Sequence, residues 1–490
     1  MVNVPHFVLF PFVAQGHIIP MIDIAKLLAQ HGVIVTIFTT PKNASRFSSV
    51  LSRALSSGLQ LNLLTLNLPT KQAGLPDGCE NLDMVDISND VWNNFFYAVS
   101  LLQKPAQELF DKLSPRPSCI ISDFCIPWTS QIAEKHQIPR ISFHGYSCFC
   151  LQVLFKVSSS KILESINSET EYFSIPGIPD QIQVTKGKIP VALLEKLPKE
   201  FVEKFQEAEM KSYGEIINTF EELEKEYVND YKKERNDKVW CVGPVSLCNK
   251  DGIDKAERGN ITSISEYNCL KFLDLHKPKS VVYVCLGSLC NLVSSQLIQL
   301  ALGLEATKMP FIWVIRDGVN KTQELEKWIS DEKFEERNQG RCLLIRGWAP
   351  QMVILSHSSI GGFLTHCGWN STLEGISFGV PMVTWPLFAD QFLNEKLVTQ
   401  VLKIGVSLGV NVVMQFGEEE KLGVIVKKEG IKEAICRVMD EGDQESKERR
   451  ERASELSEIA KKAVEKGGSS YLNMTLLIQD IIELQSKHQS

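Results

Sequence analysis

Short aliphatic runs alternate with helix-period segments along almost the whole chain. In the first half the runs are His6–Phe12, Val33–Thr39, Leu59–Leu68, Ser118–Asp123, Arg140–Phe143, Glu215–Thr219 and Val239–Val242. Between them, stretches such as Met21–Gln30 and Trp128–His136 repeat apolar residues at helical spacing. Strands almost continuous in Val, Ile and Leu are buried on both faces. Their alternation with helices predicts parallel sheets covered on each side. Near Pro244 the pattern breaks, and residues 246–266 are rich in Asn, Lys, Asp, Gly, Arg and Ser. Such a stretch predicts an exposed linker. The alternation resumes at Ser280–Leu286, Phe311–Ile315, Cys342–Ile345, Gly361–Thr365, Met382–Thr384 and Gly405–Leu408. The pattern predicts two α/β domains, residues 1–245 and 267–466, joined by the linker 246–266. Residues 443–466, mixed in Glu, Lys, Arg and Ala, predict a solvated helix with i,i+4 ion pairs. Gly467 and Gly468 end it, and residues 467–490 predict a last helix packing back on the first domain. Leu472, Leu476, Ile478, Ile481 and Leu484 are its expected buried side.

Charge and cysteine usage narrow the function. The chain has 490 residues, 52 basic and 59 acidic, for a net charge of −7. The lack of a basic excess argues against nucleic acid or an anionic membrane as the partner. The thirteen cysteines are irregularly spaced, with no Cys-x-x-Cys and no zinc-finger pattern. They predict reduced thiols and a cytoplasmic protein rather than a disulfide framework or a metal centre. The opening MVNVPHFVLFPFVAQGH has neither a basic leader region nor a small-residue cleavage site. No uncharged apolar run reaches about 18 residues, so no membrane span is expected.

Open parallel sheets bind ligands at the carboxyl ends of their strands, so candidate chemistry is sought there. His17 follows the first strand at a strand-to-helix turn, beside Gly16 and Pro20. A histidine there can act as a general base or cap its own turn. Asp123 ends the strand CIISD. It can orient an imidazole, or it can form an Asx-turn or a helix cap. The densest patch runs from Trp348 to Gln391. Its centre reads as strand (Phe363–Thr365), turn (His366–Gly368) and helix (Asn370–Phe378). Free N–H groups at that helix start make an anion site. His366 and Ser371 can add donors to a diphosphate, and Glu374, one turn further, can bind a vicinal diol. Trp348 can stack a base, Gln351 can read its edge, and Asp390 and Gln391 can meet sugar hydroxyls. Each of these residues has an ordinary structural reading as core or cap. Ser288, in Leu286-Gly287-Ser288, sits where backbone can approach a phosphate.

The 44 residues from Trp348 to Gln391 resemble the signature box of plant secondary-product (family 1) UDP-glycosyltransferases. HFVLFPFVAQGHIIPMIDIAKLLAQHG, SDFCIPW, WCVGPVSLCNK and VVYVCLGS are similar to the same family, so the resemblance spans the chain. The N-terminus and SLCNKDGIDKAERG are similar to a subgroup that glucosylates steroids, triterpenoids, flavonols and cytokinins. The resemblance implies the GT-B fold: two Rossmann-like parallel-sheet domains facing an interdomain cleft, with the acceptor in the N-terminal and the UDP-sugar in the C-terminal domain. It implies that Trp348 stacks on uracil, Gln351 bonds its edge, Ala349 lies in the same donor site, and Glu374 holds the ribose. His366, Asn370, Ser371 and Ser288 would hold the diphosphate, and Trp369, Asp390 and Gln391 the sugar. His17 would be the base and Asp123 its partner. In this family a Gln ending the box tends to accompany glucose and a His galactose, so Gln391 points to UDP-glucose. Cys285-Leu286 stand where many members have Ser-Phe.

The expected reaction is one inverting displacement that gives a β-O-glucoside, with no cofactor beyond UDP-glucose as co-substrate and no metal. The expected acceptor is a lipophilic small molecule, with a triterpenoid or steroid ahead of a flavonoid. Phe12, Phe95, Phe96, Phe124, His144, Tyr146, Phe149 and Phe201, with Phe388 and Ala389, are its candidate pocket. A monomer is expected. The alternatives are a non-catalytic UDP-sugar-binding protein, or transfer of galactose or glucuronic acid. A nicotinamide or flavin enzyme would need Gly-x-Gly-x-x-Gly after a first strand, which neither domain has. An α/β hydrolase would need a nucleophile elbow, and Gly145-Tyr146-Ser147 lacks its closing glycine.

Overall fold

A computed structural model describes residues 4–190, 197–290, 292–316 and 322–489. The chain divides into two compact units. One comprises Met1–Gln152, Val191–Lys250 and Lys461–Ser490, and the other Val153–Pro190 and Asp251–Ala460. In chain order the strands are β1 (His6–Phe10), β2 (Ile34–Thr39), β3 (Leu61–Thr65), β4 (Cys119–Asp123), β5 (Arg140–His144), β6 (Tyr172–Ser174), β7 (Gln183–Thr185), β8 (Gly214–Ile217) and β9 (Val239–Cys241). They continue with β10 (Val281–Cys285), β11 (Phe311–Ile315), β12 (Cys342–Arg346), β13 (Ile360–Thr365), β14 (Met382–Thr384) and β15 (Gly405–Ser407).

The first unit holds a seven-stranded sheet of order β3-β2-β1-β4-β5-β8-β9. Every neighbouring pair in it is parallel. The second holds a six-stranded sheet of order β12-β11-β10-β13-β14-β15, also parallel throughout. Phe7, Val8 and Leu9 in β1, and Val281 to Val284 in β10, are buried, as their unbroken apolar character requires. The order reverses between β1 and β4 in one sheet and between β10 and β13 in the other. The loops leaving those strands diverge to opposite faces and leave a crevice, the topological switch point of an open parallel sheet.

Each of the thirteen predicted runs supplies a strand of one of these two sheets. The short antiparallel hairpin β6–β7 was not foreseen: its strands have three residues each, and Tyr172 and Ser174 point outward. The helix after β1 spans Gln15–Gln30, so it begins ahead of the helical spacing read over Met21–Gln30. His17 therefore lies in its first turn, and Pro20 lies one turn in. Proline has no N–H to donate at that position. The final helix, Ser469–Gln489, also differs in phase. Ser470, Asn473, Met474, Leu477, Ile478 and Ile481 are buried, whereas Leu472 and Leu476 are 48% and 54% exposed. This helix carries leucines on two faces, and the polar Ser470 and Asn473 take the inner one because they find partners there. Ser470 donates to the Gly243 carbonyl, and Asn473 donates to Glu221 at 2.8 Å. Among the described residues no helix is long and apolar enough to cross a membrane. The thirteen cysteines all lie among the described residues, and none forms a disulfide.

Candidate active site

At the first switch point, β1 delivers the helix Gln15–Gln30 and β4 delivers Asp123. His17 Nδ1 lies 2.7 Å from Asp123 Oδ2. The carboxylate is completely buried, while the histidine side chain is 24% exposed. The other carboxylate oxygen, Oδ1, accepts the Cys125 N–H at 3.0 Å. Asp123 thus closes an Asx-turn with one oxygen and holds an imidazole with the other. The two sequence readings of this residue are compatible. An ionised carboxylate only accepts, so Nδ1 carries the hydrogen and Nε2 is left as the basic nitrogen. Phe12 meets the imidazole edge-on at 5.5 Å and Phe124 lies 6.2 Å away, walling the ring with apolar surface.

Phe12 also stacks on Phe96 at 5.1 Å, and Phe96 contacts Phe205 at 5.6 Å. These rings lead into an open cleft lined by Phe96, Trp128, Phe201 and Phe205 together with the polar Gln103, Gln131, Lys204 and Glu207. Of the aromatic residues proposed from sequence, Phe96 and Phe201 line this cleft and Phe12 adjoins it. Phe95 and Phe149 are fully enclosed. Phe388 packs on Phe416 in the second unit, beside Ala389 with φ 54°. Phe205 was not singled out, although Phe201, Phe205 and Ala208 share one face of the helix Lys199–Lys211 at i, i+4 and i+7 spacing.

His144 ends β5 next to this wall, with Phe124 stacked on its ring at 5.3 Å. It sits inside a buried charge cluster rather than against open space. Its Nε2 lies 2.8 Å from Glu209 and 3.8 Å from Glu215. Arg140 reaches Glu209 at 3.3 Å, and Arg235 reaches Glu215 at 2.9 Å. Burial lowers the pKa of His144, but the charge and hydrogen bond of Glu209 outweigh it, so the net direction is up. Burial likewise opposes ionisation of Glu209. The charge of His144, Arg140 and the Ser142 hydroxyl override it and hold the carboxyl at about 2.

At the second switch point, β10 leads to Gly287-Ser288 and β13 leads to His366-Cys367-Gly368. The helix Trp369–Ser377 follows, with Gly368 at its N-cap. The first helical bond is Thr372 N–H to Gly368 O, at 3.0 Å, so the helix starts directly after the turn that leaves β13. His366 is wedged between two glycines. A Cβ on Gly287 would stand 2.5 Å from its Nε2, and one on Gly368 would stand 2.4 Å from it. Gly287 also has φ +82°, which only glycine adopts without strain. Burial pushes the His366 imidazole down to about 4, so the ring is neutral at neutral pH. Its buried Nδ1 has no hydrogen-bond partner among the described residues. An unpartnered buried polar atom at a helix N-terminus is a place where a ligand atom fits.

Around this turn, Gln351 links three residues. Its Oε1 accepts from Tyr283 at 3.2 Å, and its Nε2 donates to Ser371 at 3.2 Å and to Glu374 at 2.8 Å. Ala349 is buried and its carbonyl accepts the Gln351 N–H at 2.8 Å. Trp348 is half-buried. Asn394 donates to Asp390 at 2.6 Å and to the Cys367 carbonyl at 2.9 Å, tying the loop after β14 to the loop after β13. Gln391 Oε1 accepts the N–H groups of Leu387 and Phe388 at 2.8 and 3.1 Å. Asn394, Tyr283 and Arg258, which meets Glu374, were not found from sequence. None of them carries a signal apart from its place in the fold.

Residues 4–247 match the family described as Glycosyltransferase, N-terminal domain, and residues 267–441 match UDP-glucoronosyl and UDP-glucosyl transferase. UDP-glycosyltransferases 73C6 and 73C3 of Arabidopsis thaliana are each 56% identical to this chain. The matches cover 98% of this chain in both cases, and 97% and 96% of those proteins. The chain belongs to the plant UDP-glycosyltransferases. A Glycyrrhiza uralensis UDP-glycosyltransferase solved with glycyrrhetinic acid 3-O-monoglucuronide superposes with a TM-score of 0.90. It is 36% identical, and the match covers 99% of this chain and 98% of that one. A Medicago truncatula UDP-glycosyltransferase solved with UDP-glucose gives 0.78 at 25% identity, covering 98% and 99%. The fold is GT-B, with two Rossmann-like sheets and a long C-terminal helix. As a plant UDP-glycosyltransferase, the protein transfers a sugar from a UDP donor to a small acceptor.

Proposed function

We propose that this UDP-glycosyltransferase transfers glucose from UDP-glucose to a hydroxyl of a lipophilic acceptor, with inversion and without a metal. The observation that carries the reading is the His17–Asp123 pair, with its basic nitrogen directed away from a buried, doubly held carboxylate. His17 Nε2 takes the acceptor hydroxyl proton as the oxygen attacks the anomeric carbon. The bond from that carbon to the β-phosphate oxygen breaks, and UDP leaves with the electron pair. Asp123 stabilises the imidazolium that forms. The helix start at Trp369–Ser371 and Ser288, with His366 beside them, take up the charge growing on the diphosphate. One displacement on an α-linked donor gives a β-glucoside. Trp348 and Ala349 flank the uracil in this reading, while Trp369, Asp390 and the Nε2 of Gln391 face the sugar.

The donor set supports metal independence. Glu374 and Asp390 already accept from protein donors. His17, Asp123 and Cys125 approach one another, but burial, reinforced by Asp123, pushes the Cys125 thiol far above its usual range, and a protonated thiol is a poor ligand. The carboxylates near His144 are committed to Arg140 and Arg235. Thirteen cysteines without a disulfide among them fit the reducing cytoplasm. A triterpenoid or steroid is the favoured acceptor, with a flavonoid next. The glycyrrhetinic acid glycoside held by the Glycyrrhiza relative supports that order, and Phe96, Phe201 and Phe205 give the cleft apolar surface for a lipophilic acceptor. Mass spectrometry after incubation with UDP-glucose, EDTA and a panel of triterpenoids, steroids, flavonoids and cytokinins tests all of this together. A hexose adduct on one class is the expected result. Transfer only with UDP-galactose or UDP-glucuronic acid, or only after Mg²⁺ is added back, would overturn the donor or the metal part.

The role given to His366 has its own test. Gly368→Ala forces the imidazole off the position it holds between the two glycines. UDP affinity, read by titration calorimetry, is expected to fall about tenfold, the scale of one lost charge-assisted hydrogen bond. Unchanged affinity would remove His366 from the diphosphate site.

A further inference from the structure

The segment between the two sheets reads as a spacer by composition, yet it touches the candidate nucleotide site at two places. Its helix Gly252–Ala256 packs against the helix Gln351–Ser356. After that helix the chain turns at the buried Gly259, with φ +100°. Just before the turn, Arg258 sends its guanidinium onto Glu374. Both partners are nearly closed off, with side chains 10% and 4% exposed. Four residues beyond Gly259, Ser263 brackets Trp348. The Ser263 N–H donates to the Trp348 carbonyl at 2.9 Å, and the Ser263 Oγ accepts the Trp348 N–H at 2.9 Å.

We propose that Arg258 is a positioning residue for the UDP donor: it holds the Glu374 carboxylate in the orientation that receives the ribose hydroxyls. The inference rests on the reading above that Glu374 binds the ribose. A carboxylate this enclosed needs a paired cation, and Arg258 supplies it on Oε1. Gln351 donates to the other oxygen, Oε2, at 2.8 Å. Two anchors from opposite sides fix the carboxylate plane. Each oxygen keeps a lone pair for a hydroxyl of the sugar. Ser263 does the same for the Trp348 backbone, so one polar segment steadies both the base wall and the ribose acceptor.

The test is titration calorimetry with UDP and with 2′,3′-dideoxy-UDP, on wild type, Arg258→Gln, Glu374→Gln and the double variant. Wild type is expected to prefer UDP by at least about tenfold, because a site built for hydroxyls rejects a ligand lacking them. In R258Q the UDP affinity falls about tenfold, the preference for UDP over the dideoxy ligand shrinks to within about threefold, and the KM for acceptor is unchanged. R258Q adds nothing in the E374Q background. Arg258→Lys, which keeps the charge but not the fork, falls between and carries the test if R258Q does not fold. A purely structural role would lower the melting temperature while leaving the ribose preference intact. If wild type prefers UDP and R258Q and R258K keep that preference in full, Arg258 does not position Glu374. If wild type shows no preference, Glu374 does not bind the ribose and both readings fall.

Discussion

His17→Ala is expected to slow sugar transfer by about 10²–10⁴-fold, the usual contribution of a positioned general base. That is about 3–5 kcal/mol of barrier. Affinity for UDP should not change, because His17 lies at the β1/β4 switch point and the proposed nucleotide contacts lie on the other sheet. Asp123→Asn is expected to cost a similar factor for a different reason. The carboxylate is buried and uses both oxygens, one on Cys125 N–H and one on His17 Nδ1. An amide in its place must either present an N–H group to one of those donors or rotate away, so the imidazole loses its fixed tautomer. The two residues act as one unit. The double variant should therefore be little slower than H17A alone. Single-turnover rates with a saturating alcohol acceptor measure this. H17A retaining more than about a tenth of wild-type turnover would remove His17 as the base.

The ends of strands were readable because burial on both faces writes itself into sequence. Met382–Thr384 has three strand residues, yet the apolar run and its bounding Pro381 and Pro386 were enough to place it. Asp123 and His17 were readable as candidates because each breaks or follows such a run. Their pairing, now seen at 2.7 Å across 106 residues, was implied by the family resemblance and not by spacing, which carries no information on which strands are neighbours. Parallel order is decided by how helices pack on the sheet. The same limit hid Arg258, whose only sequence context is a polar stretch, and Asn394, whose work is to join two loops from neighbouring strands. The phase of the last helix was misjudged for another reason. Leu472 and Leu476 are as apolar as Leu477, and the choice between faces fell to Ser470 and Asn473 finding partners on the inner side.

Glu209→Gln is expected to destabilise the first unit by several kcal/mol, about 3–5 on the scale of a broken buried ion pair. The wild-type carboxyl faces His144 at 2.8 Å, Arg140 at 3.3 Å and the Ser142 hydroxyl at 2.6 Å. It is held at about 2 against an ordinary 4.5. That depression is worth about 3 kcal/mol, at about 1.4 kcal/mol per unit. Removing one member of a buried ion pair costs about 3–5 kcal/mol, because the surviving charge is left uncompensated. The variant leaves Arg140 without the Glu209 charge, and His144 with only Glu215, at 3.8 Å, from this pair of carboxylates. The sign with pH follows from the two shifts. A depressed carboxyl contributes stability above about 4.5, lost as pH falls towards 2. A histidine raised above 6.5 contributes stability below that value, lost as pH rises through its elevated pKa. The gap between wild type and variant should therefore be widest between pH 4.5 and 6.5. It should narrow on the acid side and also above pH 7, without closing there because Arg140 keeps its charge. Thermal scans at pH 6 are expected to show the first unfolding transition about 6–12 °C lower in the variant. Transitions within about 1 °C of each other at pH 6, or a gap that widens towards pH 9, would mean that the cluster around His144 does not hold the first sheet in the charged state described.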